Sequence, residues 1–398
     1  MHVAVIFGNV GSYHAARLRA AHSSALERNL RFSAVQVTDS SLQHPWGDLR
    51  HELTFPLETI LSLADATPES AERAMNSIDR RLVTAALDRL EPDVVAIPGW
   101  GFRAARAALG WCRARGAAAL LMSESKRDDE ARHWWKEHVK RWLYVRHFKA
   151  ALVGGTIHRD YLVELGICAS RIFTGYDVVD NCHFARGSAD ARRNPDAARR
   201  EHRAIPQRPY LISVTRFLPR KDVATLIRAY AAYRAAVSSG DTPWDLVVCG
   251  SGPERNRIEQ IVHELGLVTH VHLPGFVEYQ ALGAWYGLAE ALVHTAEQEP
   301  WGLVINEACA ARLPIVCSRA VGARYELVRD RENGWLFDPR DVRGLAAVLE
   351  SLHGTEPEQR HARGEVSARL VDRFRPEHFA NGLFAAADAL HAGGPAGS

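Results

Sequence analysis

No stretch of the 398-residue sequence reaches the roughly 18 apolar residues that a membrane span needs, and its most apolar windows are interrupted by a charge such as Glu290. Its 6 cysteines, Cys112, Cys168, Cys182, Cys249, Cys309 and Cys317, form no Cys-x-x-Cys pair and no spacing matched to His. That excludes a sequence-encoded zinc site or dithiol redox motif and leaves buried thiols of a reducing cytoplasm as the reading. Neither sign of charge is in excess: 49 Lys+Arg stand against 47 Asp+Glu, a formal net charge of +2. A chain-wide nucleic-acid footprint is thereby disfavoured, although one local basic patch remains possible. The opening Met-His-Val-Ala-Val-Ile-Phe has no positively charged start and no small-residue cleavage site. It reads as a buried strand and not as a signal peptide, so a cytoplasmic location is expected.

What is present is an alternation of short β-branched runs with amphipathic helical stretches, the pattern of parallel sheets covered on both faces. Strands are expected at 3–7, 32–37, 94–98, 118–122 and 150–153, and again at 210–214, 245–249, 271–273, 291–295 and 315–318. Between the two sets, 185–209 is rich in Arg, Asp, Asn and Pro with almost no large apolar residue, as a linker should be. The expected organisation is α/β: two doubly wound, Rossmann-like domains, 1–184 and 210–374, joined by a 185–209 linker. A helix near 375–390 is a candidate to pack back on the first domain, and the small-residue tail 392–398 reads as disordered. Open parallel sheets bind ligands at the carboxyl ends of their strands, so tandem domains are expected to face a ligand cleft.

Three segments could carry chemistry. Gly8-Asn9-Val10-Gly11-Ser12 follows the first strand and would let backbone approach a phosphate or sugar, or serve only as a tight turn. The full G-x-G-x-x-G is absent and no acidic residue ends the second strand, which disfavours a nicotinamide cofactor. Arg216 and Lys221 follow the 210–214 strand, as a diphosphate site or as a solvated basic loop; the Gly250-Ser251-Gly252 turn brings N–H groups to the same edge. In 299–308, Glu299 precedes Pro300, Trp301 and Gly302, which permit a helix start with its N–H groups exposed, and Glu307 follows about 9 Å further along the axis. Two carboxylates so spaced suit the hexose and ribose ends of a sugar nucleotide, with the helix start at its diphosphate; two solvated glutamates are the alternative.

Glu-Pro-Trp-Gly-Leu-Val-Ile-Asn-Glu-Ala (299–308) resembles the Glu-x7-Glu signature of GT-B retaining glycosyltransferases, family 4 (glycosyl transferases group 1) in particular. The resemblance continues through Asp180-Asn181 and Phe184, Arg216 and Lys221, Gly250-Ser251-Gly252, Leu273-Pro274-Gly275-Phe276-Val277, Leu313-Pro314-Ile315-Val316, Gly322, Glu326 and Asn333-Gly334-Trp335-Leu336-Phe337. It implies the GT-B fold and transfer of a hexosyl unit from a UDP- or GDP-sugar to an acceptor, whether a small molecule, a glycan or a lipid-linked group. By similarity, Glu299 would bond the donor sugar, Glu307 the ribose, and Arg216 and Lys221 the diphosphate. Gly11, Ser12, Gly250, Val277, Trp301, Gly302 and Leu303 would complete donor binding. On the acceptor side stand Trp100, Ser123 and Glu124; Ser123-Glu124-Ser125 occupies the place where the family often has a His. No metal and no other cofactor are expected, because the two cations supply the needed charge. G-x-S-x-G and H-E-x-x-H are absent, so a covalent protein intermediate has no evident carrier. A sugar-nucleotide epimerase or hydrolase, or an inactive sugar-nucleotide binder, are the rival functions.

Residues 132–149 form a basic, Trp-rich stretch with Trp135, Val139 and Trp142 on one helical face. The primary reading is a domain helix whose aromatics are core; peripheral contact with an anionic membrane and contact with an acceptor are the alternatives.

Overall fold

The computed structural model describes residues 1–39, 53–62, 76–129, 132–237 and 241–391. The 392–398 tail lies outside them. Two compact units result: Met1–Val179 together with the chain from Phe374, and Asp180–Arg373.

In the first unit, β1 (His2–Phe7), β2 (Arg31–Thr38), β3 (Leu57–Leu61), β4 (Val94–Pro98), β5 (Ala118–Ser123), β6 (Ala150–Val153) and β7 (Ile172–Thr174) form a parallel sheet in the order β3-β2-β1-β4-β5-β6-β7. Its helices are α1 (Ser12–Glu27), α2 (Arg80–Leu90), α3 (Arg103–Arg115), α4 (Trp134–Leu143), α5 (Thr156–Glu164) and α15 (Pro376–His391). The β1, β4 and β6 strands are almost wholly apolar because helices cover both sheet faces, and their residues are buried throughout apart from Pro98. Glycines seat α15 on β7: a Cβ on Gly382 would lie 2.2 Å from the Thr174 carbonyl oxygen, and one on Gly175 2.4 Å from that of His378.

The second unit repeats the plan with β8 (Tyr210–Val214), β9 (Asp245–Cys249), β10 (Val271–Gly275), β11 (Ala291–His294), β12 (Ile315–Ser318) and β13 (Gly334–Phe337), ordered β10-β9-β8-β11-β12-β13 and parallel. Around them run α6 (Asn181–Arg193), α7 (Pro195–Glu201), α8 (Val223–Ala236), α9 (Arg255–Glu264), α10 (Tyr279–Gly287), α11 (Leu303–Ala310), α12 (Arg324–Leu327), α13 (Val342–His353) and α14 (Pro357–Val371). Each sheet is doubly wound. The strand order reverses between β1 and β4 in one unit and between β8 and β11 in the other, the points where open α/β sheets leave a crevice.

Three expectations are corrected. The 185–209 segment is not a linker: α6 and α7 fill most of it and belong to the second unit, which starts at Asp180. Its polar composition misled because α6 packs on α10 through backbone contact. A Cβ on Gly187 would come 3.1 Å from the Gly283 Cα, and one on Gly287 2.6 Å from the Ser188 carbonyl oxygen, so large apolar residues have no room there. Strands β3, β7 and β13 were not expected; β3 is only half-buried throughout, and β7 has 3 residues. Finally, the aromatics of 132–149 do not all enter a core. No residue of α4 is buried, and Trp134, Trp135 and Trp142 are exposed.

Candidate active site

Strands β8 and β11 are neighbours, and the loops that leave their carboxyl ends are tied together. The Thr295 hydroxyl donates to the carbonyls of Lys221 (3.0 Å) and Asp222 (3.1 Å), and the Glu297 N–H donates to the Arg220 carbonyl (2.8 Å). Asp222, at φ 48°, caps α8 by accepting from the Thr225 N–H. These ties bring the Lys221 ammonium onto the Glu299 carboxylate as a close ion pair. His294, the last residue of β11, lies with Nε2 3.0 Å from Oε2 of the same carboxylate.

The trio is nearly shut off from water, with side chains 11% (Lys221), 10% (Glu299) and 2% (His294) exposed. Burial pushes the Glu299 pKa up, but the Lys221 charge and the His294 hydrogen bond outweigh it and hold the carboxyl well below its usual range. Burial lowers the pKa of His294 in spite of Glu299, so its ring is neutral. An ionised carboxylate only accepts, so the proton sits on Nε2, which donates to Glu299. The result is a fixed, oriented negative charge beside a fixed cation at the β8/β11 reversal.

Backbone constraints hold Glu299 in place. Its main chain bridges to Val321, and its carbonyl accepts from the Gly322 N–H at 3.1 Å. Gly302 caps α11 at φ 101°, where a Cβ would sit 3.2 Å from Cγ of Glu299. Leu303 then opens α11, half-buried. Arg216 is half-buried on the loop after β8, on the same edge.

Other expected site residues have different surroundings. Glu307 is fully buried, and its Oε2 accepts from the Tyr286 hydroxyl at 2.6 Å. The Trp301 ring is also fully buried, donating to Asn306 Oδ1 at 2.8 Å, and its carbonyl accepts from the Ala323 N–H at 2.9 Å. Neither is exposed to solvent. The Gly250 N–H, expected to face a ligand, donates instead to the Gly275 carbonyl at 2.7 Å. Glycine is needed there for close packing, since a Cβ would lie 1.7 Å from the Thr215 carbonyl oxygen. Val277 is half-buried between β10 and α10.

In the first unit, the Gly11 N–H donates to Nδ1 of His14 in α1 (3.1 Å) and the Val10 N–H to Oε1 of Gln36 in β2 (3.2 Å), so these donors are taken up by side chains of the flanking elements. Ser12 is buried at the first position of α1. Ser123, buried at the end of β5, accepts from the Ser125 N–H at 3.2 Å, while Glu124 is exposed. Trp100 is half-buried, stacks on Tyr144 with centroids 6.4 Å apart and packs against the hydrophobic core. Sequence reasoning missed His294 and Tyr286. A signal existed for His294, a lone imidazole ending an apolar strand five residues before the first glutamate.

Solved structures share the fold. Anabaena HepE, bound to UDP and glucose, superposes with a TM-score of 0.72 at 16% identity, covering 98% of this chain and 100% of that one. Sucrose-phosphate synthase from Thermosynechococcus elongatus gives 0.71 at 18% identity, covering 98% and 99%. The fold is therefore GT-B, two parallel-sheet α/β domains in one chain. Residues 195–368 match the family model "Glycosyl transferases group 1". A Mycobacterium tuberculosis GDP-mannose-dependent alpha-(1-6)-phosphatidylinositol monomannoside mannosyltransferase is 30% identical over 195 residues, 46% of this chain and 49% of that protein. Alpha-D-kanosaminyltransferase of Streptomyces kanamyceticus is 27% identical over 256 residues, 64% of this chain and 56% of that one. The chain thus spans about half the length of the curated relatives it matches.

Proposed function

We propose that this chain is a retaining glycosyltransferase that moves a hexosyl unit from a nucleoside-diphosphate sugar to an acceptor. One observation carries the reading: the Glu299 carboxylate, kept ionised by Lys221 and oriented by His294, stands at the β8/β11 reversal of the family-matched domain. As the bond from the anomeric carbon to the diphosphate breaks, positive charge develops on the sugar ring and negative charge on the leaving phosphate. An ammonium has three N–H donors, and Lys221 uses one on Glu299, so the same cation can meet a phosphate oxygen. Arg216 and the first turn of α11 add donors on that edge. Removing one such preorganised donor typically lowers the rate by ~10²–10³. Glu299 accepts from hydroxyls of the hexose and aligns it. Glu307 reaches a ribose only if the Tyr286 hydroxyl shares the carboxylate with it.

The Mycobacterium tuberculosis relative is named for GDP-mannose, and Anabaena HepE was solved with UDP and glucose. A thermal-shift panel of UDP, GDP and their sugars therefore identifies the donor, since a ligand at about 100 times its Kd adds ~2.7 kcal/mol of stability. Acceptor-dependent release of the diphosphate, with the donor's anomeric configuration kept in the product, is the expected outcome. Release without any acceptor would favour a hydrolase, binding without turnover an inactive binder, and an inverted product would overturn retention. Activity is expected to survive EDTA, because cations of the chain supply the positive potential. Loss on chelation with rescue by magnesium or manganese would sink that part.

A further inference from the structure

We propose that α4 of the first unit docks on an anionic lipid surface. The inference is independent of the transfer reading and starts from an inverted helix. The polar edge of α4 is what meets the protein: Glu137 accepts from the Tyr161 hydroxyl at 2.6 Å and from Lys140 Nζ at 3.0 Å. Beneath that edge a cavity of about 400 Å³, walled among others by Arg132, Tyr161 and Glu164, separates the helix from α5. On the opposite side, at about 100° per residue, Trp142, Trp135, Val139 and Leu143 share one arc. They are 61%, 52%, 47% and 41% exposed. A soluble domain buries such a face, and an apolar patch left outward with a charged border marks an interaction surface.

Charge selects the occupant. Residues 132–149 hold six cations, Arg132, Lys136, Lys140, Arg141, Arg146 and Lys149, and one carboxylate, Glu137, which is already paired. The Arg146 guanidinium lies 4.8 Å over the Trp142 ring, and Lys136 Nζ is 5.5 Å from the Trp135 ring. After burial, Arg113, Arg146 and Lys149 are what lower the His147 pKa, so a further cation stands in the same neighbourhood. Two copies meeting through this face would set like charges against each other, whereas anionic headgroups neutralise them. Indole rings with cations beside them suit the boundary between headgroups and acyl chains, where the ring is apolar and its edge is wet. No described helix is long and apolar enough to cross a membrane, so the contact lies on the surface.

Flotation of the full chain tests this. With phosphatidylcholine vesicles containing about 30% phosphatidylglycerol, the chain should float at low salt, less at high salt, and not with phosphatidylcholine alone. Trp135→Ser combined with Trp142→Ser should abolish flotation, and Lys136→Gln with Lys149→Gln should weaken binding roughly fivefold per cation. These side chains are exposed, so the melting temperatures of the variants should match the parent. Absence of flotation, equal flotation on neutral vesicles, or full flotation of the double Trp variant would overturn the proposal. So would a dimer in sedimentation that the Trp substitutions dissociate without any vesicle binding.

Discussion

Where the first sheet reverses its strand order, side chains of the neighbouring elements absorb the backbone donors, Gln36 of β2 taking the Val10 N–H and His14 of α1 that of Gly11. Where the second sheet does so, the loops instead hold a cation, an anion and an imidazole in contact, nearly excluded from water. Topology brings loop ends to both reversals; only residue identity makes one of them a charged site. A buried ion pair is weak evidence of stability, since well-packed apolar groups of equal volume often do as well. Lys221 and Glu299 are therefore better explained by the chemistry they can perform than by the folding of the loop.

The largest effect that would sharpen this contrast comes from breaking the pair. Lys221→Met leaves the Glu299 carboxylate without its cation at low exposure and should cost about 3–5 kcal/mol in urea unfolding. Adding Glu299→Gln should recover most of that stability and none of the activity. If the single variant unfolds like the parent, the pair is solvated and the contrast fails.

Next comes the second carboxylate. Tyr286→Phe leaves a buried carboxyl oxygen of Glu307 without its hydrogen-bond donor and should lower stability by about 1–3 kcal/mol. If Glu307 also meets the ribose, Glu307→Gln should weaken the bare diphosphate and the intact donor alike in calorimetry, whereas Glu299→Gln should spare the diphosphate and depress kcat. Equal loss of diphosphate affinity in the two Gln variants would mean that the ligand lies elsewhere along α11.

A smaller effect compares two glycines. Gly302, at φ 101°, holds a conformation that costs other residues about 1–2 kcal/mol, and its missing Cβ leaves space beside Glu299. Gly11, at φ −104°, is under no such constraint. Gly302→Ala should thus lose more stability than Gly11→Ala and also slow turnover; the reverse order would remove the turn geometry from the argument.

The smallest effect is a pH dependence. The pKa of His294 is lower folded than unfolded, so the unfolded chain binds its proton first on acidification. Stability should begin to fall below about pH 6.5, by at most ~1.4 kcal/mol per pH unit for one group. Glu299, with its folded pKa depressed, contributes stability that is full above about pH 4.3 and is lost only as the pH drops further. His294→Asn should flatten the upper part of the stability curve and leave the lower part. An unchanged curve would mean that the imidazole titrates normally.

Much of the fold was legible because buried parallel strands are continuous apolar runs. Strands β1, β4, β6, β8, β9 and β12 lie within a residue of their expected bounds. Strand β3 was not, since its residues are half-buried and carry Glu58 and Thr59. The helices over 181–201 were illegible for a different reason: α6 approaches α10 through Gly187, Gly283 and Gly287, and small residues at a close helix contact look like a linker. Arg216, Lys221, Gly302 and Glu299 became candidates through their place after buried strands together with the family resemblance, and the basic, aromatic character of 132–149 was plain from the sequence.

Sequence alone determined the doubly wound plan and the residue types at the second reversal, because period and composition are local properties of a chain. Which way a side chain faces is not local. Only the tertiary structure decided that Glu299 is paired with Lys221 and oriented by His294, that Glu307 and Trp301 are enclosed, and that the Trp135 face of α4 points away from its own domain. Those outcomes depend on which loop leaves the neighbouring strand and which helix lies overhead, contacts made between residues as far apart in the chain as 221 and 299.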